Sequence, residues 1–357
     1  MSENVVVVGA GIVGAALAWY LARGGARVTV VDGGEPGGVA TPSSWAWINA
    51  SWGHPEHYVR LRMRAMEEWR RLGPLVPGLD VSWCGALVWD MDGEDSLRAF
   101  VAERQGQGYD VRLVGREEAQ AIEPALADPP ALAAHAPADG AIEPREAVGA
   151  ILADAERLGA RPVFGSGVDR LLLDGGRVTG VRLQDGAGIA ADRVVLAAGS
   201  ATATLAAQAG VEVPVDDTTG LLIVTGPVAP LLNGLVVGPG LELRQLRDGW
   251  LLGSGHHAGS DPGADPQATA DGLFAAARAG IRGGGELRLE GYVIGHRPMP
   301  RGDGLSIVGE AAPGLHVAVT HSGVTLAPAI GRLVAEEIIT GRPDPLLAPF
   351  GLGRFAA

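Results

Sequence analysis

Three glycines near the start of the chain, Gly9, Gly11 and Gly14, are spaced as G-x-G-x-x-G, and Asp32 follows about where a ribose-binding carboxylate is expected. In this pattern Gly9 permits a tight turn off a strand, Gly11 lets the backbone approach a pyrophosphate, and Gly14 lets a helix pack closely on the strand. The first turn of that helix, with Ala10, Ile12 and Val13 beside the glycines, offers free N–H groups and the positive end of a dipole to phosphates. Asp32 can accept from both ribose hydroxyls and repels a 2′-phosphate. The chemistry is dinucleotide binding, and the glycines alone do not decide between NAD and FAD.

Other reactive residue types are scarce. The one cysteine, Cys84, cannot build an intramolecular disulfide, a cysteine-rich zinc site or an iron–sulfur cluster. The chain has no lysine, so all 28 basic side chains are arginine, and lysine Schiff-base chemistry and a phosphate-loop lysine are excluded. His256-His257 find no third ligand at metal spacing and are read as lobe residues; no metal site is expected.

The elements that must position the glycines are legible around them. Asn4-Val5-Val6-Val7-Val8 is a continuous apolar run, the pattern of a parallel strand covered on both faces. A helix is predicted over 15–23, ended by Gly24-Gly25, and a second buried strand over 27–31 delivers Asp32. This is a complete βαβ unit. Downstream, the spacing predicts a helix over 56–72, a helix over 144–158, short strands over 161–183 around Asp174-Gly175-Gly176, and a buried strand over 193–199. Strands over 305–308 and 315–320 and a helix over 325–340 close the chain. The stretches 79–141 and 213–295 have more alternating, strand-like character. A discontinuous nucleotide-binding domain is therefore expected from 1–78, 142–212 and 296–357, and a second domain from 79–141 and 213–295.

A chain of 357 residues that is 47% hydrophobic can bury two such cores. The net charge of −13 argues against nucleic acid or an anionic membrane as partner. The most apolar later stretch, 221–237, is broken by Gly226, Pro227, Pro230 and Gly234, and is too short to span a bilayer. With a strand already at 4–8 and a single cysteine, no secretory signal is expected and a cytoplasmic, reducing location fits.

Taken in order, several segments together resemble the FAD-dependent family of glycine oxidase, sarcosine oxidase and D-amino acid dehydrogenase. They are the 5–14 strand and glycine turn, Asp139-Gly140-Ala141-Ile142-Glu143-Pro144, the 194–199 strand, Gly295-His296-Arg297-Pro298, the 321–328 helix start beginning His321-Ser322-Gly323, and the tail 349–355. The resemblance covers nearly the whole length. It implies an α/β fold: a Rossmann-like FAD-binding domain with a parallel sheet, plus an α+β substrate-binding domain with a mainly antiparallel sheet.

The same resemblance places the flavin. Thr41, Ser43 and Ser44 match the hydroxyl-bearing loop that serves the phosphates. Trp45-Ala46-Trp47 takes the stretch beneath the isoalloxazine ring, where smaller residues are more usual; the two indoles equally suit a core under the loop. Val168 falls where relatives contact the adenine, and Ala198-Gly199 where the chain passes close to the cofactor. Gly323, Val324, Thr325 and Leu326 supply the first amides of the last helix toward flavin N1 and C2=O. Some relatives attach the flavin through a cysteine after the arginine motif, where Met299 and Pro300 stand here, so non-covalent FAD is expected.

For the substrate, the resemblance implies Arg297 as the guanidinium that clamps an amino acid carboxylate. His321 stands where glycine oxidase-like members have a second arginine, and orients substrate, tunes flavin N1 or bonds to backbone. Glu242 and Arg244 lie on one face of a strand where relatives present a tyrosine, and suit either a polar substrate group or a surface ion pair. The implied reaction oxidises the C–N bond of glycine, sarcosine or a D-amino acid by hydride transfer to flavin N5, giving an imine that hydrolyses. Oxygen or another molecule is the acceptor, and the chain is compatible with a homo-oligomer. Alternatives are oxidation of a 2-hydroxy acid, a flavin-bearing subunit of a larger complex, and an NAD-dependent dehydrogenase.

Overall fold

The computed structural model describes residues 2–51, 55–256 and 259–355. Its central feature is a six-stranded sheet in the order Ile307–Ala312, Leu315–Val319, Arg193–Leu196, Asn4–Val8, Arg27–Asp32, Arg161–Phe164. All neighbours run parallel except the Ile307–Ala312 hairpin strand. The valine run of the first strand is buried on both faces, which is why it shows no polar alternation. Val5 and Val7 pack among the helices Ile12–Arg23, Pro144–Arg157 and Gly323–Thr340, whereas Val6 and Val8 pack against the antiparallel strands Val168–Asp174 and Arg177–Leu183. The α/β reading with a Rossmann-like sheet is what is found.

A second sheet has eight strands in the order Leu289–Pro300, Val215–Thr225, Leu251–Ser254, Leu241–Gln245, Leu235–Gly238, Ala86–Val88, Leu132–Ala136, Arg112–Gly115. It is antiparallel except where Leu235–Gly238 meets Ala86–Val88. The two stretches read as strand-like also hold the helices Gly93–Gly106, Arg116–Ile122 and Pro266–Gly280. Pro266–Gly280 is rich in alanine, so its buried face rests on Ala270 and Ala277 and leaves little periodic contrast in the sequence. Its start is fixed by Asp265, whose carboxylate accepts from the N–H groups of Gln267 and Ala268.

One long strand and one small sheet carry residues of the same cavity. Leu289–Pro300 runs along Val215–Thr225 and crosses the boundary expected at 296, so Arg297 sits inside the antiparallel sheet, opposite Thr218. A small sheet joins Trp47–Ile48 to Gly140–Ile142 and Val81–Ser82, and so fixes the loop after the second parallel strand to the Asp139 stretch. No helix of the described residues is long and apolar enough to cross a membrane.

Candidate functional site

The glycine turn has the backbone that its sequence requires. Gly9 has φ +108°, and a Cβ there would lie 2.4 Å from the Ala197 carbonyl oxygen. A Cβ on Gly14 would lie 1.9 Å from the Gly9 carbonyl oxygen, so the third glycine is what lets the helix seat on the strand. Gly11 is extended and stands at the N-cap of helix Ile12–Arg23, with no side chain of its own to cap the first amides.

These residues face a cavity of about 900 Å³ that lies beyond the carboxyl ends of four parallel strands, where Val8, Asp32, Ala197 and Val319 line it. Gly9, Gly11, Ile12 and Val13 form its floor at the glycine turn, and Val168, Ala198 and Gly199 line it nearby. Ala10 and Gly14 do not line it; both are packed behind the turn. The Ala10 N–H donates to Asp32 Oδ2 at 2.7 Å and the Gly34 N–H to Asp32 Oδ1 at 2.9 Å. Each carboxylate oxygen keeps a lone pair for a further donor, which suits a ribose diol. Thr41, Ser43 and Ser44 line the wall next to the turn, and the Thr41 hydroxyl accepts from the Ile12 N–H at 3.2 Å.

The chain then bends sharply at Ala46, the only non-glycine among the described residues with a left-handed φ, 59°. The Ala46 N–H donates to Ser44 Oγ at 3.0 Å, and the bend sets Trp45 and Trp47 edge to face, 5.8 Å apart. Both indoles are buried and both line the cavity, as does Ala46, so the readings of core residue and cavity wall hold together. The Trp45 indole N–H is buried with no partner. The Trp47 indole N–H donates to Asp139, whose carboxyl also bonds Tyr109 and Ser51. Burial pushes the Asp139 carboxyl up to about 7, against the hydrogen bonds of Tyr109 and Trp47 and the Arg62 charge.

Gly323, Val324 and Thr325, the first residues of helix Gly323–Thr340, line the opposite end of the cavity, and Leu326 is buried behind them. The Thr325 hydroxyl donates to the Trp47 carbonyl at 2.9 Å, and the Trp69 indole donates to the carbonyls of Val324 and Thr325. Arg62 and Asn49, not singled out from the sequence, complete this end. Arg62 is 3% exposed and donates to the Asn49 carbonyl, Asn49 Oδ1 and Ser322 Oγ. Its signal was its spacing: it falls between Tyr58 and Ala65 on the buried face of helix Glu56–Leu72, where a charged side chain is anomalous.

Arg297 enters from the antiparallel sheet and lines the same cavity. Its Nη2 donates to the Thr219 carbonyl, while Nε and Nη1 are buried without a partner, and burial lowers its pKa. His321 lines the cavity one residue before Ser322, and its carbonyl accepts from the Gly323 N–H at 2.9 Å. Glu242 and Arg244 share a strand face as expected, but neither lines the cavity. Arg244 spends its donors on the carbonyls of Trp45 and Ile142 and on Glu143 at 2.8 Å, which makes it a tie beneath the Trp45 bend. Glu242 is 1% exposed with one carboxyl oxygen unpartnered, and burial pushes it up to about 8. It is neither substrate-facing nor in a surface ion pair. Cys84 lies with Arg244 in a separate cavity of about 130 Å³, so no thiol reaches the large one. His257 lies outside the described residues.

A cradle with a Cβ-free turn, a bonded carboxylate at the second strand and a helix start at the far end fits a dinucleotide with an electron-rich ring at its other extremity. Comparison with known proteins agrees. The family model described as FAD dependent oxidoreductase matches residues 4–337. The glycine oxidase of Pseudomonas aeruginosa is 29% identical over 98% of both chains. One of the subunits of opine oxidase from Agrobacterium tumefaciens is 25% identical over 99% of this chain and 98% of its own. Among solved structures, the glycine oxidase of Geobacillus kaustophilus superposes with a TM-score of 0.87 at 24% identity over 98% of each chain.

Proposed function

The chain belongs to the FAD dependent oxidoreductase family, and from that premise we propose that it oxidises the C–N bond of a small amino acid or N-alkyl amino acid. The observation that carries the substrate half of this reading is Arg297, a guanidinium at the cavity wall with two buried, unpartnered N–H-bearing nitrogens. A carboxylate supplies the missing acceptor through a charge-assisted pair. The flavin, when bound, supplies the hydride acceptor.

The side chains of the protein then have positioning roles. Thr219 fixes Nη2 of Arg297, so the clamp is oriented before substrate arrives. Trp45, Trp47 and Leu222 give the same cavity an apolar lining, which favours the neutral amine, whose adjacent carbon gives up the hydride. No carboxylate or lysine at the wall is assigned as a general base. Similarity to glycine oxidase supports the substrate class.

The test is anaerobic bleaching of the bound flavin by glycine, sarcosine, D-alanine and lactate, in wild type and Arg297→Ala. We expect saturable bleaching by an amino acid and an increase of about 10- to 100-fold in the half-saturating concentration in R297A, the scale of a lost charge-assisted pair. Unchanged saturation moves the carboxylate elsewhere, and bleaching by lactate alone replaces the amine reading with hydroxy acid oxidation. The full-length likeness to a subunit of opine oxidase supports a second reading, in which the chain is the flavin-bearing component of a larger assembly. Turnover by the purified chain alone excludes it.

A further inference from the structure

A buried charge is ordinarily paired or holds a ligand, because its desolvation is otherwise uncompensated. Of the buried arginines, Arg104 pairs with Glu103 and Arg244 with Glu143. Arg62 does neither. Its hydrogen-bond partners are the neutral Asn49 carbonyl at 3.0 Å, Asn49 Oδ1 at 2.8 Å and Ser322 Oγ at 2.7 Å, with the Tyr58 ring 5.7 Å away. No carboxylate among the described residues lies within ion-pair distance of it. Asp139, which feels its charge, is committed to Tyr109, Trp47 and Ser51.

Of the five N–H groups of a guanidinium, three are used here, which leaves two beside the cavity that Arg62 lines. Its Ser322 contact ties it to the residue that precedes helix Gly323–Thr340, whose first amides carry partial positive charge of their own. Two sources of positive potential therefore converge on one end of the cavity. They are preorganised for an anion that the protein itself does not provide.

We propose that Arg62, acting with the first amides of this helix, is the anion-stabilising residue for the N1–C2=O edge of the flavin, where negative charge collects on reduction. This rests on the FAD reading and deepens it. The substrate carboxylate is the rival occupant, and it is already answered by the free nitrogens of Arg297 on the strand Leu289–Pro300. Asn49 and Ser322 are positioning residues: they already hold the guanidinium at the helix start, so no reorganisation is needed when the charge arrives.

The test uses the holoprotein, with sulfite as probe, since sulfite adds to flavin N5 and leaves negative charge at N1. Arg62→Gln and Arg62→Lys are compared with wild type for sulfite dissociation constant and two-electron midpoint potential. Wild type is expected to bind sulfite. R62Q is expected to keep FAD but bind sulfite at least tenfold more weakly, and to disfavour the reduced ring by the same factor, about 30 mV for two electrons. R62K is expected to recover most of both. A yellow R62Q protein with unchanged potential and sulfite affinity overturns the proposal while the FAD reading stands. Loss of amino acid saturation at unchanged potential also overturns it and gives Arg62 to the substrate. Were R62Q not to fold, a yellow wild type that binds no sulfite overturns the proposal by itself. A wild type that takes up no FAD ends both readings.

Discussion

The indole N–H of Trp47 donates to the carboxyl of Asp139 at 2.9 Å, so a wall of the large cavity hangs on a carboxyl group with no solvent exposure. Tyr109 and Ser51 converge on the same carboxyl, and the Arg104 Nε–H holds the Ser51 carbonyl at 2.9 Å. Truncation strands two buried donors, the Trp47 indole and one of the Tyr109 and Ser51 hydroxyls, which still bond each other at 3.0 Å, and each orphaned donor costs about 1–3 kcal/mol. Asp139→Ala is therefore expected to destabilise by about 2 kcal/mol or more and to weaken FAD retention, because Trp47 loses its anchor. A double-mutant cycle with Trp47→Phe, read by urea unfolding, is expected to give a coupling of about 1 kcal/mol. Additive effects would show that the bond does not hold the indole.

Gly14 meets the backbone of its own motif: a Cβ there falls 1.9 Å from the Gly9 carbonyl oxygen, and neither partner is a flexible side chain. Gly14→Ala is expected to push the helix Ile12–Arg23 off the strand, with loss of most bound FAD and a stability cost of about 2 kcal/mol or more. Gly149 is the contrast, an exposed glycine inside helix Pro144–Arg157 with nothing near its would-be Cβ. Gly149→Ala should stabilise by about 0.5–1 kcal/mol and leave FAD content unchanged. Flavin absorbance per protein, measured with thermal unfolding, checks the pair. Equal FAD content in both variants would contradict the packing role given to Gly14.

Legibility in the sequence followed how local the cause was. The turn at Gly9, the strand of valines and the bonded Asp32 could be read because backbone conformation and burial on both faces leave their mark within a few residues. Arg297 was legible through a motif, yet its free nitrogens depend on Thr219, 78 positions away. Arg62 was passed over because its meaning arises only where its helix meets Asn49 and Ser322, the latter 260 positions distant. Arg244 shows the converse: an arginine on a plausible strand whose donors are consumed by the carbonyls of Trp45 and Ile142. The helix Pro266–Gly280 was hidden because alanine serves both its faces.

Glu242 offers a pH test that is independent of any ligand. It is 1% exposed, one of its oxygens has no partner, and burial, with a smaller push from Asp90, raises its carboxyl from 4.5 to about 8. Between those values the folded state keeps a proton that the unfolded chain gives up, so the unfolded chain binds fewer protons and stability falls as pH rises. Glu242→Gln replaces the neutral acid by a neutral amide of the same shape and removes that fall. The stability of E242Q relative to wild type is therefore expected to be level below pH 4.5, to rise up to pH 8 with a slope approaching about 1.4 kcal/mol per pH unit, and to flatten beyond. Asp139 titrates in both proteins and cancels from the difference. Urea unfolding at half-unit intervals from pH 4 to 9 measures it, and parallel profiles for the two proteins would show that Glu242 ionises in place, through water or a cation reaching its free oxygen.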